Sequence, residues 1–482
     1  MDATEDEILP LVVDLDGTLL RTDTLMETAN AFVVEHPLRC LAPLVWLVNR
    51  GKAGMKSALA ASQPIDAATL PYHRGVLAWL QQQRSAGRSL VLATAADVSV
   101  AQQIAAHLGL FDEVLASRDS VNLKGPAKAE ALVQRFGDRG FDYVGNAYAD
   151  LAVWRVSRQA WLVDPPPGLE QRARRVADVG GVLKRSAVKP AERWFECLRV
   201  DQWLKNLLVF VPLVAAHGLL WAPQLRNTIL AFVSLSLCGS GLHILEDLSE
   251  LGADRRHPVK RTRAFASGDL SIASGWTAAF LLVLVSFASS AWLLPSSFLA
   301  VLGAFCVLTL AYSMRLRRVM MLDVVVLAML YTIRLLAGSQ AAAVPISFWL
   351  LTLSMFVFMS LALTKRYGDL LVSDESSGPV SEIARSYAVS DLSMLASLGA
   401  AASYISVMVL ALYIQDPGTA HLYAHPERIW LACPLLLFWT SRVWVMAHRG
   451  MLSQDPVVYA LTDKVSLVVG ALFVVVFAVL AA

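Results

Sequence analysis

Charged residues are scarce in this chain, and no two of its cysteines lie close together in the sequence. Only 17% of the 482 residues are Asp, Glu, Lys or Arg, whereas 56% are hydrophobic. This composition excludes an ordinary soluble protein and a highly charged, disordered one. The cysteines are far apart and include no CxxC spacing, so we expect neither zinc nor disulfides and interpret them as small buried apolar residues. They are Cys40, Cys197, Cys238, Cys306 and Cys433.

A signal peptide is also missing from the start of the chain. The first ten residues, MDATEDEILP, are acidic and lack a basic start and an apolar core. Charges continue through residues 1–200, as in an α/β protein, but from about Trp203 long apolar runs alternate with short charged loops. The sequence predicts a cytoplasmic domain at 1–185 and a membrane domain at 186–482.

The apolar runs of the second half predict nine membrane spans. A spanning helix needs roughly 20 mainly apolar residues. Segments of about this length and character occur at 205–222, 226–245, 273–294, 297–314, 320–338, 345–364, 391–414, 429–447 and 464–481.

The loops between these runs predict the orientation. Lys and Arg are concentrated in 255–263, 315–318, 365–369 and 447–464, whereas alternate loops such as 339–345 are nearly uncharged. The positive-inside rule places the basic loops in the cytoplasm. An odd number of spans then predicts a cytoplasmic N-terminus and an external C-terminus.

Four carboxylates follow the second apolar run in the stretch EDLSELGAD. They fall at i, i+1, i+4 and i+8, which is one face of a helix, and they would repel each other unless a cation lay among them. Mg²⁺ takes oxygen ligands of this kind together with phosphate oxygens. An ordinary helix end with a positive-inside loop explains the bases that follow but explains the clustered acids poorly. The acids are Glu246, Asp247, Glu250 and Asp254, and the bases suited to phosphate are Arg255, Arg256, Lys260, Arg261 and Arg263.

This stretch resembles the first signature, N-D-x-x-D-x-x-x-D, of the UbiA superfamily of membrane prenyltransferases. The resemblance implies a nine-helix membrane bundle and a Mg²⁺-diphosphate site in which Asp247 and Asp254 are essential to the reaction. Glu246 stands where the Asn is usual and Glu250 where the middle Asp is usual.

Three further stretches, at 199–213, 311–338 and 362–370, resemble the decaprenyl-phosphate phosphoribosyltransferase branch. That branch moves a 5-phosphoribosyl group from phosphoribosyl diphosphate to a polyprenyl phosphate. Intramembrane charges are functional by default, although Arg334 could pair with Asp323 for structure alone and Lys205 could be a snorkelling lysine. By resemblance the substrate-binding residues are Lys205, Asn206, Tyr312, Asp323, Arg334, Lys365 and Arg366.

The soluble half contains D-L-D-G-T after an apolar strand, and Gly17 permits the sharp turn that exposes both aspartates. This motif resembles the haloacid dehalogenase superfamily of phosphotransferases and implies a Rossmann-like α/β domain with a small helical cap. The resemblance makes Asp14 the nucleophile and Asp16 the proton donor. It assigns Thr94 and Lys128 to phosphate, with Lys124 as an alternative to Lys128. Its Mg²⁺ ligands would be Asp14, Asp16 and Asp150.

Two features of this half leave alternatives open. Asn146 stands where many relatives have Asp, which predicts weaker metal binding or a degenerate, regulatory domain. The apolar stretch 36–56 is flanked by bases and predicts either a helix on the membrane surface or a packed cap helix.

Together these features predict a bifunctional enzyme of a bacterial inner membrane. Its membrane half would make phosphoribosyl-polyprenol phosphate, and its soluble half would remove the 5′-phosphate on the way to lipid-linked arabinofuranose. We expect phosphoribosyl diphosphate, polyprenyl phosphate and the bilayer as partners and no nucleic acid, and a homo-oligomer stays open. The alternatives are an aromatic prenyltransferase, which the lack of a D-x-x-x-D at Asp323 disfavours, and a transferase with a non-catalytic docking domain.

Overall fold

The computed structural model describes residues 9–118, 122–185, 189–216, 218–375, 387–416, 425–452 and 455–477. These residues form two compact units. Unit 1 consists of Met1–Cys197 and Leu245–Thr277, and unit 2 consists of Leu198–Ile244 and Ala278–Ala482. The acidic stretch therefore packs with the N-terminal residues. The domain boundary at 185/186 stays a prediction.

Unit 1 is built on a six-stranded parallel sheet with the order β3-β2-β1-β4-β5-β6. Its central strands are nearly all apolar and fully buried, as expected for a parallel sheet covered on both faces. The chain reverses its direction of winding at β1, which is where such sheets bind ligands. The strands are β1 (Leu11–Val13), β2 (Leu90–Asp97), β3 (Glu113–Ser117), β4 (Asp142–Gly145), β5 (Gln159–Val163) and β6 (Asp178–Leu183).

Helices of the soluble half either cover the sheet or form the cap that follows β1. The cap contains α1 (Thr24–Glu35) and α2 (Ala42–Ser62). Asp23 starts α1 by accepting hydrogen bonds from the backbone N–H groups of Leu25 and Met26. The other helices are α3 (Arg74–Ser85), α4 (Val98–Leu108), α5 (Pro126–Phe136), α6 (Leu151–Trp154), α7 (Leu169–Val176) and α8 (Pro190–Leu198).

The chain is helical from Leu198 onward, and its part Leu245–Thr277 belongs to unit 1 while the rest forms unit 2. The chain runs through a 3₁₀ helix (Val200–Phe210), α9 (Val211–Ala215), α10 (Ala222–Ser249) and α11 (Leu251–Arg256). It continues through α12 (Ile272–Leu293), α13 (Ser296–Met314), α14 (Leu322–Ala342), α15 (Phe348–Glu375), α16 (Leu392–Gln415), α17 (Ala432–His448), α18 (Pro456–Thr462) and α19 (Lys464–Val475).

Seven helices in the described part of the chain are long and apolar enough to cross a membrane, or eight if the bent pair α18 and α19 forms one span. The expected count of nine is therefore not reached by this criterion. The first predicted span, 205–222, is instead a 3₁₀ helix followed by the five-residue α9. Pro212 lies at the start of α9 and has no N–H to continue the preceding hydrogen bonds. The last predicted span, 464–481, ends outside the described residues.

All five cysteines are free thiols. Cys197, Cys238 and Cys433 are buried, and Cys306 is half-buried. Cys40 is exposed, so the expectation of burial was wrong there. Cys40 follows a short 3₁₀ helix of the cap (Pro37–Arg39) that contributes no buried residue.

Candidate active sites

The first candidate site lies where β1 ends in the sheet of unit 1. Lys128, near the start of α5, places its Nζ 2.7 Å from Asp14 Oδ1 and 2.9 Å from the Tyr143 hydroxyl. Asp14 and Lys128 are both buried. Lys128, and not Lys124, is thus the lysine that contacts Asp14. A buried ammonium group beside a carboxylate stabilises the charged form of that carboxylate, as a nucleophile requires.

Asp16 lies on the turn after β1 and accepts a hydrogen bond from the Thr24 backbone N–H at 2.8 Å. Burial, with further contributions from the nearby Asp23 and Asp14, raises the pKa of Asp16 to about 7. A carboxyl group with such a pKa still carries a proton near neutral pH. It therefore suits the donation of a proton to a leaving group.

The loop after β4 completes this edge of the sheet. Asp150 Oδ2 accepts hydrogen bonds from the backbone N–H groups of Asn146 and Ala147 at 3.0 and 2.8 Å, and Oδ1 accepts one from the Tyr143 hydroxyl at 3.1 Å. Burial and the nearby Asp14 raise the pKa of Asp150 to about 6. A Cβ at Gly145 would lie 2.6 Å from Asp150 Oδ2. Any residue other than glycine at this position would therefore push the Asp150 carboxylate aside.

Thr94 and Asn146 approach the same edge from different strands. Thr94 in β2 is fully buried, and its Oγ1 accepts a hydrogen bond from the Ala96 N–H at 3.0 Å. Thr18 Oγ1 lies 3.4 Å from Asp14 Oδ2 and donates to Asn146 Oδ1 at 3.2 Å. A Cβ at Gly17, which has φ +76°, would lie 2.2 Å from Asn146 Nδ2. Gly17 is thus required both by its backbone angle and by the close approach of Asn146.

The acidic stretch lies at the end of α10 and in α11. The expected single helix face is interrupted, since α10 ends at Ser249 and Glu250 caps α11. Ser249 Oγ donates to the Glu246 carbonyl at 2.8 Å, a local bond that competes with the helix. A cation does lie among the acids: one nitrogen of Arg263 is 3.1 Å from Asp247 Oδ1, 2.8 Å from Asp254 Oδ2 and 3.9 Å from Glu250 Oε2.

Two of the basic residues that follow contact other parts of unit 1. Arg255 forms a buried, two-pronged ion pair with Glu27 of α1 at 2.7 and 2.9 Å. Arg256 pairs with Asp66 at 2.8 Å on the surface. Lys260 Nζ lies 3.9 Å from both Glu250 and Asp254. Arg261 lies in the short 3₁₀ helix Lys260–Thr262, where its backbone N–H donates to the His257 carbonyl at 3.2 Å.

The acids of both stretches offer the right kind of atom for Mg²⁺, which prefers oxygen. Asp254 Oδ1 is a buried oxygen that accepts no hydrogen bond, and burial raises the pKa of this carboxyl group. Within the described residues, however, no three acidic, His or Cys side chains are gathered as a ready metal site. The donor chemistry fits Mg²⁺, and the assignment of ligands stays a prediction.

The second candidate site is a cation cluster in unit 2 around Asp455, which begins α18. The buried Asp455 carboxylate lies 2.8 Å from Lys205 Nζ and 3.3 Å from Lys365 Nζ, and accepts from the Tyr331 hydroxyl at 3.0 Å. Arg334 stacks over the Tyr331 ring at 5.7 Å. Two lysines thus contact one carboxylate, and a third cation, Arg334, lies beside the tyrosine that donates to it.

Asn206 and Arg334 form a hydrogen bond with each other within this cluster. Arg334 Nε donates to Asn206 Oδ1 at 2.9 Å, and Asn206 Nδ2 donates to Ser236 Oγ at 3.0 Å. Asn206 is buried, so its two hydrogen bonds fix the side-chain orientation. The structure therefore brings four of the predicted substrate residues together: Lys205, Asn206, Arg334 and Lys365.

The remaining three predicted residues are joined by hydrogen bonds around the buried Arg366. Asp323 accepts hydrogen bonds from Arg366 Nε and, at 2.6 Å, from the Tyr387 hydroxyl. Arg366 also donates to the Tyr312 hydroxyl at 2.6 Å and to Asp369 at 3.1 Å. The alternative in which Arg334 pairs with Asp323 was wrong, because Arg366 occupies that place.

Asp455 and Tyr331 were missed by the sequence reasoning. Asp455 lies in the loop 447–464, which contains two acids, Asp455 and Asp463, among its bases, and neither acid stands out in the sequence. The dipeptide Asp455-Pro456 is a helix-start pattern and could have placed the carboxylate at a helix N-terminus. Tyr331 lies inside an apolar run, so the sequence pattern does not predict its hydrogen bond to Asp455.

Residues 207–461 match the UbiA prenyltransferase family, and residues 11–155 match the haloacid dehalogenase-like hydrolases. The chain belongs to the UbiA prenyltransferase family. It carries a haloacid dehalogenase-like domain before the UbiA domain and is a multi-pass membrane protein.

Similar proteins include an uncharacterised protein, y4nM, of Sinorhizobium fredii, which is 35% identical over 97% of this chain and 90% of its own length. Nodulation protein NoeC of Azorhizobium caulinodans is 36% identical over 58% of this chain and 90% of its own. Decaprenyl-phosphate phosphoribosyltransferase of Mycolicibacterium smegmatis is 27% identical over 56% and 86%. A UbiA homolog structure from Archaeoglobus fulgidus with GPP and Mg²⁺ aligns over 59% of this chain and 98% of its own, at 14% identity and a TM-score of 0.47.

Proposed function

We propose that this protein is a bifunctional enzyme of lipid-linked sugar synthesis. The UbiA domain transfers 5-phosphoribose from phosphoribosyl diphosphate to a polyprenyl phosphate, and the haloacid dehalogenase-like domain then removes the 5′-phosphate. The product, a ribosyl-phosphopolyprenol, is a precursor of lipid-linked arabinofuranose. The proposal places the enzyme in a bacterial inner membrane with the phosphatase domain in the cytoplasm.

The cation cluster of unit 2 carries the transferase part of this proposal. Lys205 and Lys365 contact one carboxylate, Asp455, and Arg334 lies over its partner Tyr331, which leaves an excess of positive charge among half-buried side chains. Such charge is costly inside a membrane protein unless an anion shares the site. Both proposed substrates carry phosphate. Relatives named decaprenyl-phosphate phosphoribosyltransferase cover the same half of the chain.

The acidic stretch supports the handling of diphosphate. Asp247 and Asp254 would hold Mg²⁺ with Glu246 and Glu250 beside them, and the ion would supply charge neutralisation of the diphosphate leaving group. Arg263, now paired with these carboxylates, is the basic group nearest to where a diphosphate would bind. Asp247→Ala or Asp254→Ala should therefore abolish transfer while the protein still inserts into membranes.

The geometry of the first site supports the phosphatase step. An Asp14 oxygen attacks phosphorus and forms an aspartyl phosphate as the bond from phosphorus to the 5′-oxygen breaks. Asp16 donates its proton to that departing oxygen. Lys128 holds Asp14 by its 2.7 Å contact and would offset negative charge on the phosphoryl group. Water then hydrolyses the aspartyl phosphate, releases inorganic phosphate and restores Asp14.

Fusion of the two domains has a physical rationale. The phosphorylated lipid cannot leave the bilayer, so a phosphatase on the same chain meets it at a raised effective concentration. One observation favours a second candidate, a transferase with a non-catalytic docking domain: Asn146 stands at the edge of the sheet where the haloacid dehalogenase resemblance leads us to expect a carboxylate.

The test uses purified protein with radiolabelled phosphoribosyl diphosphate and polyprenyl phosphate, with the lipids resolved by chromatography. Wild type should yield mostly dephosphorylated lipid, and Asp14→Asn should accumulate the 5′-phosphorylated lipid at an unchanged rate of transfer. Asp138→Asn, on an exposed surface of unit 1, serves as the matched control and should behave as wild type. The same lipid ratio in wild type and Asp14→Asn would remove the phosphatase step and support the docking alternative.

A further inference from the structure

The cap of unit 1 has an apolar surface that no part of the described chain covers. Leu38 is 100% exposed, Leu41 66% and Val48 83%. From Leu41 onward these residues follow a spacing of three to four, so they share one face of α2. We call this surface the cap face. It comprises Leu38, Leu41, Leu44, Val45, Leu47 and Val48.

Helix α2 consists of two halves with different surroundings. Gly51 has φ +67° and ψ −177°, which breaks the helical backbone there. The first half, 42–50, contributes no buried residue, whereas the second half buries Leu59 against the rest of unit 1. A soluble surface rarely exposes a continuous apolar patch unless it binds something. The first half is therefore a binding surface, not part of the core.

The surroundings of the cap face identify its partner. Arg39, Arg50 and Lys52 are exposed on the same segment. An apolar helix face bordered by bases is typical of helices that lie in the headgroup layer of a membrane. Each base near an anionic surface adds about 1 kcal/mol of attraction. A protein partner would need no such basic border.

Contacts inside unit 1 place the cap face near a membrane. The Trp46 ring of α2 packs on Phe32 of α1 at 5.2 Å. One half-turn earlier in α1, Asn30 donates to the Leu248 carbonyl at 2.9 Å and accepts from Trp276 at 3.0 Å. Leu248 and Trp276 belong to α10 and α12, both candidate spans. The helix beside α2 is thus fixed to the ends of two helices that enter the bilayer.

The second half of α2 reaches the phosphatase site. Lys56 Nζ donates to the Ala95 carbonyl at 2.6 Å and lies 3.3 Å from Asn122 Oδ1. Lys56 also lines a small pocket together with Thr24, whose N–H binds Asp16. One helix therefore carries the cap face on one half and, on the other, a wall of a small pocket beside the turn that holds Asp16.

We propose that the cap face inserts into the headgroup layer of a bilayer containing anionic phospholipid. This docking holds the turn with Asp14 and Asp16 at the level where the phosphorylated end of a membrane-bound lipid lies. The selection of a lipid-borne phosphate ester rests on the proposed function, whereas the docking itself does not.

Spin labels on the full-length chain in nanodiscs test the docking. In a background in which all five native cysteines are replaced by serine, single labels are placed at Leu44→Cys and Val48→Cys, with Gln82→Cys on the exposed surface of α3 as control. With phosphatidylglycerol in the disc, labels at 44 and 48 should be accessible to oxygen and shielded from a water-soluble nickel chelate, and the label at 82 should show the reverse. Nickel accessibility at 44 and 48 would overturn the proposal. Shielding from both reagents, with close label pairs between two copies, would overturn it in favour of a dimer.

A second arm tests delivery of the lipid substrate. Leu44→Asp/Val48→Asp should lower hydrolysis of the lipid-linked 5′-phosphate by about tenfold or more, because the effective concentration falls. Hydrolysis of para-nitrophenyl phosphate should be unchanged, and Gln81→Asp/Gln82→Asp should affect neither substrate. An unchanged lipid rate would overturn delivery. A wild type inactive on the lipid, with labels still in the bilayer, would contradict the proposed function and leave the docking supported.

Discussion

At the scale of single residues, Asp455 organises the membrane unit more than any residue that stood out in the sequence. Its carboxylate contacts Lys205, Lys365 and Tyr331, which come from three other helical segments. A buried carboxylate with two ammonium partners and a tyrosine hydroxyl is well satisfied. Lys205 and Lys365 share this carboxylate and Arg334 lies nearby, so positive charge exceeds negative charge among these four groups. An incoming phosphate group would balance that excess.

The first prediction tests this balance. Lys205→Met should raise the KM for phosphoribosyl diphosphate or for the polyprenyl phosphate by roughly 10- to 100-fold, because a charge-assisted hydrogen bond is worth about 1.5–3 kcal/mol. Lys464→Met, at an exposed position that begins α19, is the matched control and should change neither KM. Initial rates measured against each substrate in turn identify which phosphate the cluster binds. Unchanged KM values for both substrates would refute the assignment.

Asn146 stands where the resemblance to the haloacid dehalogenase superfamily leads us to expect Asp. Its side-chain oxygen accepts from Thr18 at 3.2 Å but carries no charge. Asn146→Asp adds a negative charge near Asp14 and Asp150, and metal affinity depends on the number of charged ligands. We expect the Mg²⁺ concentration for half-maximal para-nitrophenyl phosphate hydrolysis to fall roughly tenfold. Asp14→Asn supplies the inactive baseline, and a Mg²⁺ requirement that does not change would exclude position 146 from the metal site.

At the scale of elements, α1 links the turn that holds Asp16 to the acidic stretch. Its first N–H, from Thr24, binds Asp16; one turn later Glu27 pairs with Arg255, and Asn30 then binds the Leu248 carbonyl. A rigid helix of three turns thus fixes both stretches within unit 1. Arg255 was expected to bind substrate phosphate, but its guanidinium is occupied by this ion pair.

The Glu27–Arg255 pair supplies a stability prediction. Both side chains are buried, so Glu27→Ala leaves an uncompensated guanidinium and should cost about 3–5 kcal/mol. The exposed Glu170–Arg174 pair on α7 is the control, and Glu170→Ala should cost about 0.3–0.5 kcal/mol. Thermal unfolding of the full-length protein in detergent should show a loss of more than about 5 °C for the first variant only. A drop of similar size in both variants would contradict the structural importance of the buried pair.

Elements with strong local patterns could be predicted from the sequence. The strand that precedes Asp14, the glycine turn and the long apolar helices depend on nearest neighbours along the chain, and the structure has them close to the expected positions. Arg263 between Asp247 and Asp254, and the Arg366–Asp323 pair, could not be predicted. They depend on which of several bases folds back onto an acid, and this choice is made by tertiary packing.

At the scale of the whole molecule, the two chain segments that make up unit 1 constrain how the chain can cross the membrane. The sheet and residues 245–277 form one compact unit, so we expect them to lie on the same side of a bilayer. Helix α10 is a candidate span that would cross once before Leu245 is reached. We therefore expect the chain also to cross between the sheet and α10, in the segment 198–221, although the described residues of that segment form no helix of 18 residues.

The backbone of that segment is long enough to do so. A 3₁₀ helix rises about 2.0 Å per residue, so the 11 residues of Val200–Phe210 extend about 22 Å. The five residues of α9 add about 7.5 Å at 1.5 Å each. The sum of about 30 Å equals the thickness of the hydrocarbon core. Tight winding thus allows a short stretch to act as a first span, and Lys205 within it is satisfied by Asp455.

The last prediction follows from this count. With 198–221 as one span, the seven helices, and α18 with α19 as one bent span, the number of crossings is odd, so the two ends of the chain lie on opposite sides. Five bases in the loop 255–263 predict a cytoplasmic location for that loop and for the sheet that packs with it. A reporter inserted in 255–263 should be cytoplasmic, whereas one fused after Ala482 and one inserted at 220–221 should both be external. Paired alkaline phosphatase and fluorescent protein fusions measure this. A cytoplasmic reporter at 220–221 would show that the 3₁₀ segment does not cross, and a cytoplasmic one after Ala482 would show that α18 and α19 do not form a span.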